Sequence, residues 1–231
     1  MKIGILQTGH VPEDLIERHG EYPVMFEQFL SGHGFEFNPY AVVDGVFPSD
    51  PYAADGWLIT GSRHGAYENH PWIPPLESLI KEVYAAEIPL VGICFGHQIM
   101  AQALGGKVEK FGNLWGVGSR EYTHMDGSKS TLLAMHQDQV VERPPEATVT
   151  ATSEYCEYAA FTYKGKAISI QPHPEFTPEF IRELIEMRSG SVIPSDQAQP
   201  GLESLSKKID SPKFSAEIAE FFKQAIAEKA A

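Results

Sequence analysis

Apolar residues recur along this chain in two rhythms. Short unbroken runs at Lys2–Leu6 (KIGIL), residues 56–60 (GWLIT) and residues 89–93 (PLVGI) have the length and make-up of buried strands. Between them lie stretches with helical spacing. Residues 24–30 lead into Gly32-His33-Gly34, and residues 76–87 place Leu76, Leu79, Ile80, Val83 and Tyr84 on one face. Residues 97–104 read as a further helix, stopped by Gly105-Gly106. This alternation predicts an α/β fold with parallel strands covered by helices.

The second half is less regular. Residues 108–111, 148–151, 158–163 and 167–170 read as strands in a mixed or antiparallel arrangement. Residues 178–187 form a helix with Thr177 as N-cap and Pro178 at the first helical position. Residues 189–212 are polar and too long for a plain loop, so a helix is expected near 202–209. Residues 214–227 then make an amphipathic helix. No repeat or sharp composition break appears. The expectation is one domain over residues 1–231, with a core at about 1–188 and a C-terminal extension at 189–231.

Composition narrows the partners. A hydrophobic fraction of 42% and a charged fraction of 21% suit a globular protein, while a net charge of −13 speaks against nucleic acid. Lys207-Lys208 is the nearest thing to a basic cluster, and two lysines on an acidic chain read as a solvated face. No run is long enough to span a membrane, and the apolar stretch before Gln7 and Thr8 is too short for a signal peptide. The cytoplasm is the expected compartment. The two cysteines, Cys94 and Cys156, fit free thiols in a reducing environment better than one staple in a chain this large.

Cys94 carries the first chemical signal. It stands where the apolar strand 89–93 gives way to a helix, with Gly92 and Gly96 two residues to either side. A sharp strand-to-helix turn needs small neighbours to hold a strained nucleophile. The helix N-terminus favours a thiolate, and its first unpaired N–H groups suit an oxyanion. A free cysteine is also commonly a small buried hydrophobe, so the turn needs a partner base before it means catalysis. Residues 171–175 (QPHPE) offer one. Each proline holds the residue before it extended, so His173 and Glu175 face the same side. The carboxylate then fixes the imidazole tautomer, completing nucleophile, base and orienter. Alone, the triplet reads better as a surface histidine before an acidic helix start; the pairing with Cys94 is what carries weight.

These residues resemble the class I glutamine amidotransferases. Gly92, Cys94, Gly96 and Gln98 match the family's nucleophile turn, and His173-Pro174-Glu175 its downstream triplet. Thr60-Gly61-Ser62 resembles the glycine loop, and residues 134–140 (AMHQDQV) resemble a segment of the guanylate-synthesising branch. The likeness runs from Ile3 to about Arg188. It implies a flavodoxin-like three-layer α/β sandwich with a mostly parallel central sheet and a smaller antiparallel or mixed portion. It also implies a catalytic triad of Cys94, His173 and Glu175, with oxyanion donors at the Gly61 and Phe95 N–H groups. Gln98 and Gln137 become substrate-binding residues for glutamine or a γ-glutamyl compound. The intermediate is a γ-glutamyl thioester on Cys94, and no cofactor is called for.

Other positions stay outside that chemistry. His97 reads as a surface or packing residue, Cys156 as structural and Trp115 as packing. His64 and His70 lack paired ligand spacing, so no metal site is expected. About sixty residues follow His173, too few for a synthetase domain. Ammonia is therefore expected to go to a separate synthetase subunit; the alternative is a stand-alone γ-glutamyl peptidase or transferase. An α/β-hydrolase with a cysteine elbow fits less well, because here the histidine and acid are adjacent. A non-catalytic glutamine-binding module fits less well because all three triad residue types are present.

Overall fold

The computed structural model describes residues 1–164 and 166–229. Its strands are β1 (Lys2–Leu6), β2 (Glu36–Tyr40), β3 (Gly56–Ile59), β4 (Leu90–Ile93), β5 (Lys107–Lys110), β6 (Gly116–His124), β7 (Lys129–His136), β8 (Asp138–Glu142), β9 (Ala147–Ser153), β10 (Cys156–Tyr163) and β11 (Ala167–Ile170). Its α-helices are α1 (Glu13–His19), α2 (Tyr22–Phe29), α3 (Ile73–Ala85), α4 (Phe95–Ala103), α5 (Pro178–Arg188), α6 (Ser195–Ser204) and α7 (Ser211–Lys229).

A nine-stranded sheet runs β2-β1-β3-β4-β11-β10-β9-β6-β7, and β5 pairs with β8 in a separate ribbon. From β2 to β11 the pairings are parallel. From β11 to β7 they are antiparallel. The antiparallel strands thus prolong the parallel sheet and match it in number of pairings, four to four.

The alternation of side chains along each strand dictates the layers. Trp57 and Ile59 of β3 face one side, where Leu76, Ile80 and Val83 of α3 and Ile99 of α4 bury against them. Leu58 of β3, with Ile3 and Ile5 of β1, faces the other, against Phe26 of α2 and Ile218 and Phe222 of α7. Each such side chain contributes roughly 1.5–3 kcal/mol by leaving water. Gly4 makes room for this arrangement: a Cβ there would come within 2.2 Å of the Trp57 ring. A third cluster joins Val117, Leu133, Phe180 and Leu184 to Ala198 and Leu205.

Residues 189–231 pack against the sheet: α6 adds Ala198 to that third cluster, and α7 adds Ile218 and Phe222 to the second. The helix expected near 202–209 lies earlier, at Ser195–Ser204. Downstream of it, Asp210 is pinned to β7: its N–H donates to Thr131 O and its carboxylate accepts from Thr131 N, at 2.9 and 2.8 Å. The Thr177 cap is as expected, its hydroxyl accepting from Phe180 N at 3.2 Å. No described helix is long and apolar enough to cross a membrane.

Candidate active site

Cys94 sits between β4 and α4 with φ 53° and ψ −102°, a strained conformation for a non-glycine residue. The neighbouring glycines explain how the chain holds it. A Cβ on Gly92 would meet Gly96 O and the Met100 sulfur at 2.5 Å, and one on Gly96 would meet Ile59 O at 2.4 Å. Backbone bonds lock the turn from three sides: Cys94 N to Ile170 O (2.9 Å), Gly96 N to Thr60 O (3.2 Å) and Gln98 N to Cys94 O (3.0 Å). Strands β3 and β11 therefore clamp the elbow from either side of β4.

His173 follows β11 and its N–H donates to Leu133 O of β7 at 2.8 Å. The imidazole Nδ1 lies 2.7 Å from Glu175 Oε1, with both side chains almost wholly buried. A carboxylate only accepts, so Nδ1 carries the proton and Nε2 is left for Cys94. Phe176 stacks on the ring with centroids 3.9 Å apart and planes 6° from parallel. Burial alone would lower the His173 pKa. The Cys94 and Glu175 charges and hydrogen bonds outweigh it and raise the value to about 10.

Gly61 closes the third side. A Cβ on it would meet His173 Cε1 at 2.8 Å and Cys94 Cβ at 3.7 Å. Its carbonyl is held by the hydroxyls of Thr60 (3.0 Å) and Thr8 (3.1 Å), which also bond each other. Among the described residues, the N–H groups of Gly61 and Phe95 find no protein acceptor. Thr8 and Phe176 were not singled out from the sequence. A threonine after a strand carries no distinguishing pattern, and Phe176 adjoins the triplet without belonging to it.

Gln98 and Gln137 line the same cleft as Cys94. The Gln98 amide nitrogen donates to Asp138 O (2.9 Å) and Gln171 Oε1 (3.1 Å), while that of Gln137 donates to Gly112 O (2.8 Å). Both residues thus brace the cleft wall. Trp115 packs against the third core cluster and also lines this cleft. Arg63 and Arg188 complete the rim. Burial, and then Arg63, lower the Arg188 pKa, with Tyr22 and Cys94 acting the other way. Among the described residues neither guanidinium has a carboxylate partner.

His97 is fully buried, not on the helix surface. It bonds Ser169 Oγ (2.8 Å) and Tyr158 O (3.0 Å) and stacks on Phe161. Cys156 is free and buried in another cluster, and burial pushes its thiol up to about 12. His64 and His70 come together with Glu68, which the sequence had not flagged.

An α/β sheet with a cysteine elbow at the carboxyl end of β4 and a histidine–carboxylate pair after β11 defines a class of thiol-dependent enzymes. The chain belongs to the class-I glutamine amidotransferase family, whose model matches residues 52–186. It is 30% identical to gamma-glutamyl peptidase 4 of Arabidopsis thaliana, covering 88% of each chain. It is also 30% identical to the glutamine-hydrolyzing GMP synthase subunit of Methanopyrus kandleri, over 75% of this chain and 96% of that one. The fold matches the crystal structure of a glutamine amidotransferase from Thermotoga maritima with a TM-score of 0.75 at 23% identity, covering 97% of this chain and 98% of that one.

Proposed function

We propose that this chain hydrolyses the γ-amide bond of γ-glutamyl peptides. The Cys94 thiolate attacks the γ-carbonyl carbon, and the Gly61 and Phe95 N–H groups receive the oxyanion. His173, protonated and oriented by Glu175, gives its proton to the departing nitrogen as the C–N bond breaks. A γ-glutamyl thioester remains on Cys94. His173, now neutral, takes a proton from water, whose oxygen attacks the thioester; the C–S bond breaks and glutamate leaves. Gln98 and Gln137 shape the glutamyl end of the cleft. The free buried thiols suit the reducing cytoplasm.

The observation that favours a peptide is the Arg63–Arg188 rim. A γ-glutamyl peptide carries a carboxylate on its leaving side, and glutamine does not. An unpaired, half-buried guanidinium recognises such a group by paired hydrogen bonds. The experiment compares Arg188→Met with wild type on a γ-glutamyl dipeptide and on γ-glutamyl-p-nitroanilide. KM should rise about tenfold or more for the dipeptide, as for a lost charged hydrogen bond, and stay level for the anilide. Equal effects on both would remove the leaving-side assignment.

A second reading, glutaminase for a separate synthetase, rests on the likeness to the Methanopyrus GMP synthase subunit. It predicts slow glutamine turnover that rises when a synthetase subunit is added. Turnover of γ-glutamyl peptides without any partner favours the first reading.

A further inference from the structure

On the rim of the same cleft, the loop after Gly61 folds back so that His64, Glu68 and His70 present one ligand atom each, all within 4.8 Å of one another. Glu68 Oε2 lies 2.6 Å from His70 Nε2 and 3.5 Å from His64 Nδ1. We propose that these three side chains bind a divalent transition metal of the Zn²⁺ class. Two imidazoles and one carboxylate form a donor set that such ions take, at about 2.0–2.2 Å, with a fourth position left open. Bond lengths of that size put neighbouring ligands of a tetrahedron roughly 3.3–3.5 Å apart. The His64–Glu68 spacing already matches, and the His70–Glu68 contact opens by less than an ångström.

Several features hold the loop in this shape. Ser62 Oγ accepts from His64 N at 3.1 Å and donates to Thr8 O at 2.7 Å. Glu68 N donates to Gly65 O, and Gln102 Nε2 donates to Ala66 O. Trp72, buried beneath, stacks on the His70 ring with planes 14° apart and takes the His64 ring edge-on. The two imidazole centroids are 4.3 Å apart. The competing explanation is a plain His70–Glu68 ion pair with His64 packed beside it.

His64 and Glu68 line the cleft with Cys94, so a bound ion occupies its mouth. The site stands independently of the proposed reaction. Its test uses the full chain carrying Cys94→Ala, which removes the reactive thiol as a rival ligand, and wild type alkylated at Cys94 as a second background. Co²⁺ is titrated and followed by its visible d–d absorption, and Zn²⁺ is then added as competitor. The expected result is one Co²⁺ per chain with the intense spectrum of four-coordinate geometry, displaced by one Zn²⁺. His64→Ala and His70→Ala should each weaken binding by about tenfold or more, since even outer-shell losses at metal sites reach that size. Substoichiometric binding in both backgrounds, or affinity unchanged in His70→Ala protein that melts like its parent, would leave only the ion pair and overturn the site.

Discussion

At Cys94 the backbone strain and the imidazole partner act on one atom. The elbow turns the sulfur toward the cleft, and in the proposed reaction His173, raised to about 10, keeps a proton ready for the leaving nitrogen throughout neutral pH. Two expectations belong to this scale. Glu175→Gln keeps the size of the side chain but lets the imidazole adopt the wrong tautomer. By analogy with the loss of a triad carboxylate, kcat should drop roughly 10²- to 10⁴-fold on any γ-glutamyl substrate. A fall of less than about tenfold would show that Phe176 stacking alone orients the ring. The pH profile gives the second. Activity should hold through neutrality and decline only as pH rises toward 10, when His173 loses the proton it must donate. A decline centred near pH 6.5, the ordinary value for histidine, would mean that the ion pair does not form.

Elements position these residues more by what they exclude than by what they bond. Gly92 and Gly96 let β4 and α4 approach within contact of each other and of β3, and a single methyl at Gly96 would press on the Ile59 carbonyl at 2.4 Å and on the Ile59 Cβ at 3.0 Å, neither of which can swing aside. Gly96→Ala should therefore destabilise by about 1–3 kcal/mol through overpacking and disable the elbow with it. Gly32→Ala is the contrasting case. Its Cβ meets nothing within 4 Å, so only the positive φ of 80° is penalised, by roughly 1–2 kcal/mol, with activity per folded molecule intact. Urea midpoints and turnover measured on both variants separate the two mechanisms; an active Gly96→Ala protein would contradict the packing argument. The same contrast explains how much could be read from the chain. Strands β1, β3 and β4 are buried on both faces and announce themselves as apolar runs. The glycine spacing around Cys94 and the prolines around His173 are local, so the grouping of Cys94, His173 and Glu175 was legible. Strands β6 and β7 were not, because GVGSREYTH and KSTLLAMH mix polar and apolar residues without a clean alternation. The His64–Glu68–His70 grouping was hidden for a related reason: a loop has no period, and only the fold turns positions 64, 68 and 70 toward one point.

For the whole molecule, the buried histidines set the pH range of stability. His97 is lowered to about 4 by burial, its hydrogen bonds to Tyr158 and Ser169 only partly compensating. His136 is lowered to about 3, again chiefly by burial. In the unfolded chain both titrate near 6.5. A folded pKa below the unfolded one means that the unfolded state takes up protons first as pH falls. Stability is therefore fully present above about 6.5 and drains away as pH falls toward the folded values. His173 works in the opposite sense. Its raised value contributes fully below about 6.5 and is lost as pH rises toward 10. Together they place the optimum near neutrality. Between pH 7 and 5 most carboxylates remain ionised, so the net charge of −13 changes little by that route and the histidine effect is isolated. Over that window His97 and His136 should each withdraw roughly 2 kcal/mol, from linkage at a unit and a half below the unfolded pKa. His10, raised by Asp44 and Glu21 against a burial effect that lowers it, is exposed and screened, and offsets little. Urea unfolding at pH 7 and pH 5 reads the difference directly. His97→Gln should begin less stable at pH 7, because it gives up the Phe161 stacking, yet lose less on acidification than wild type. Parallel losses in the two proteins would show that His97 is protonated in the fold, and the acid limb would then have to come from elsewhere.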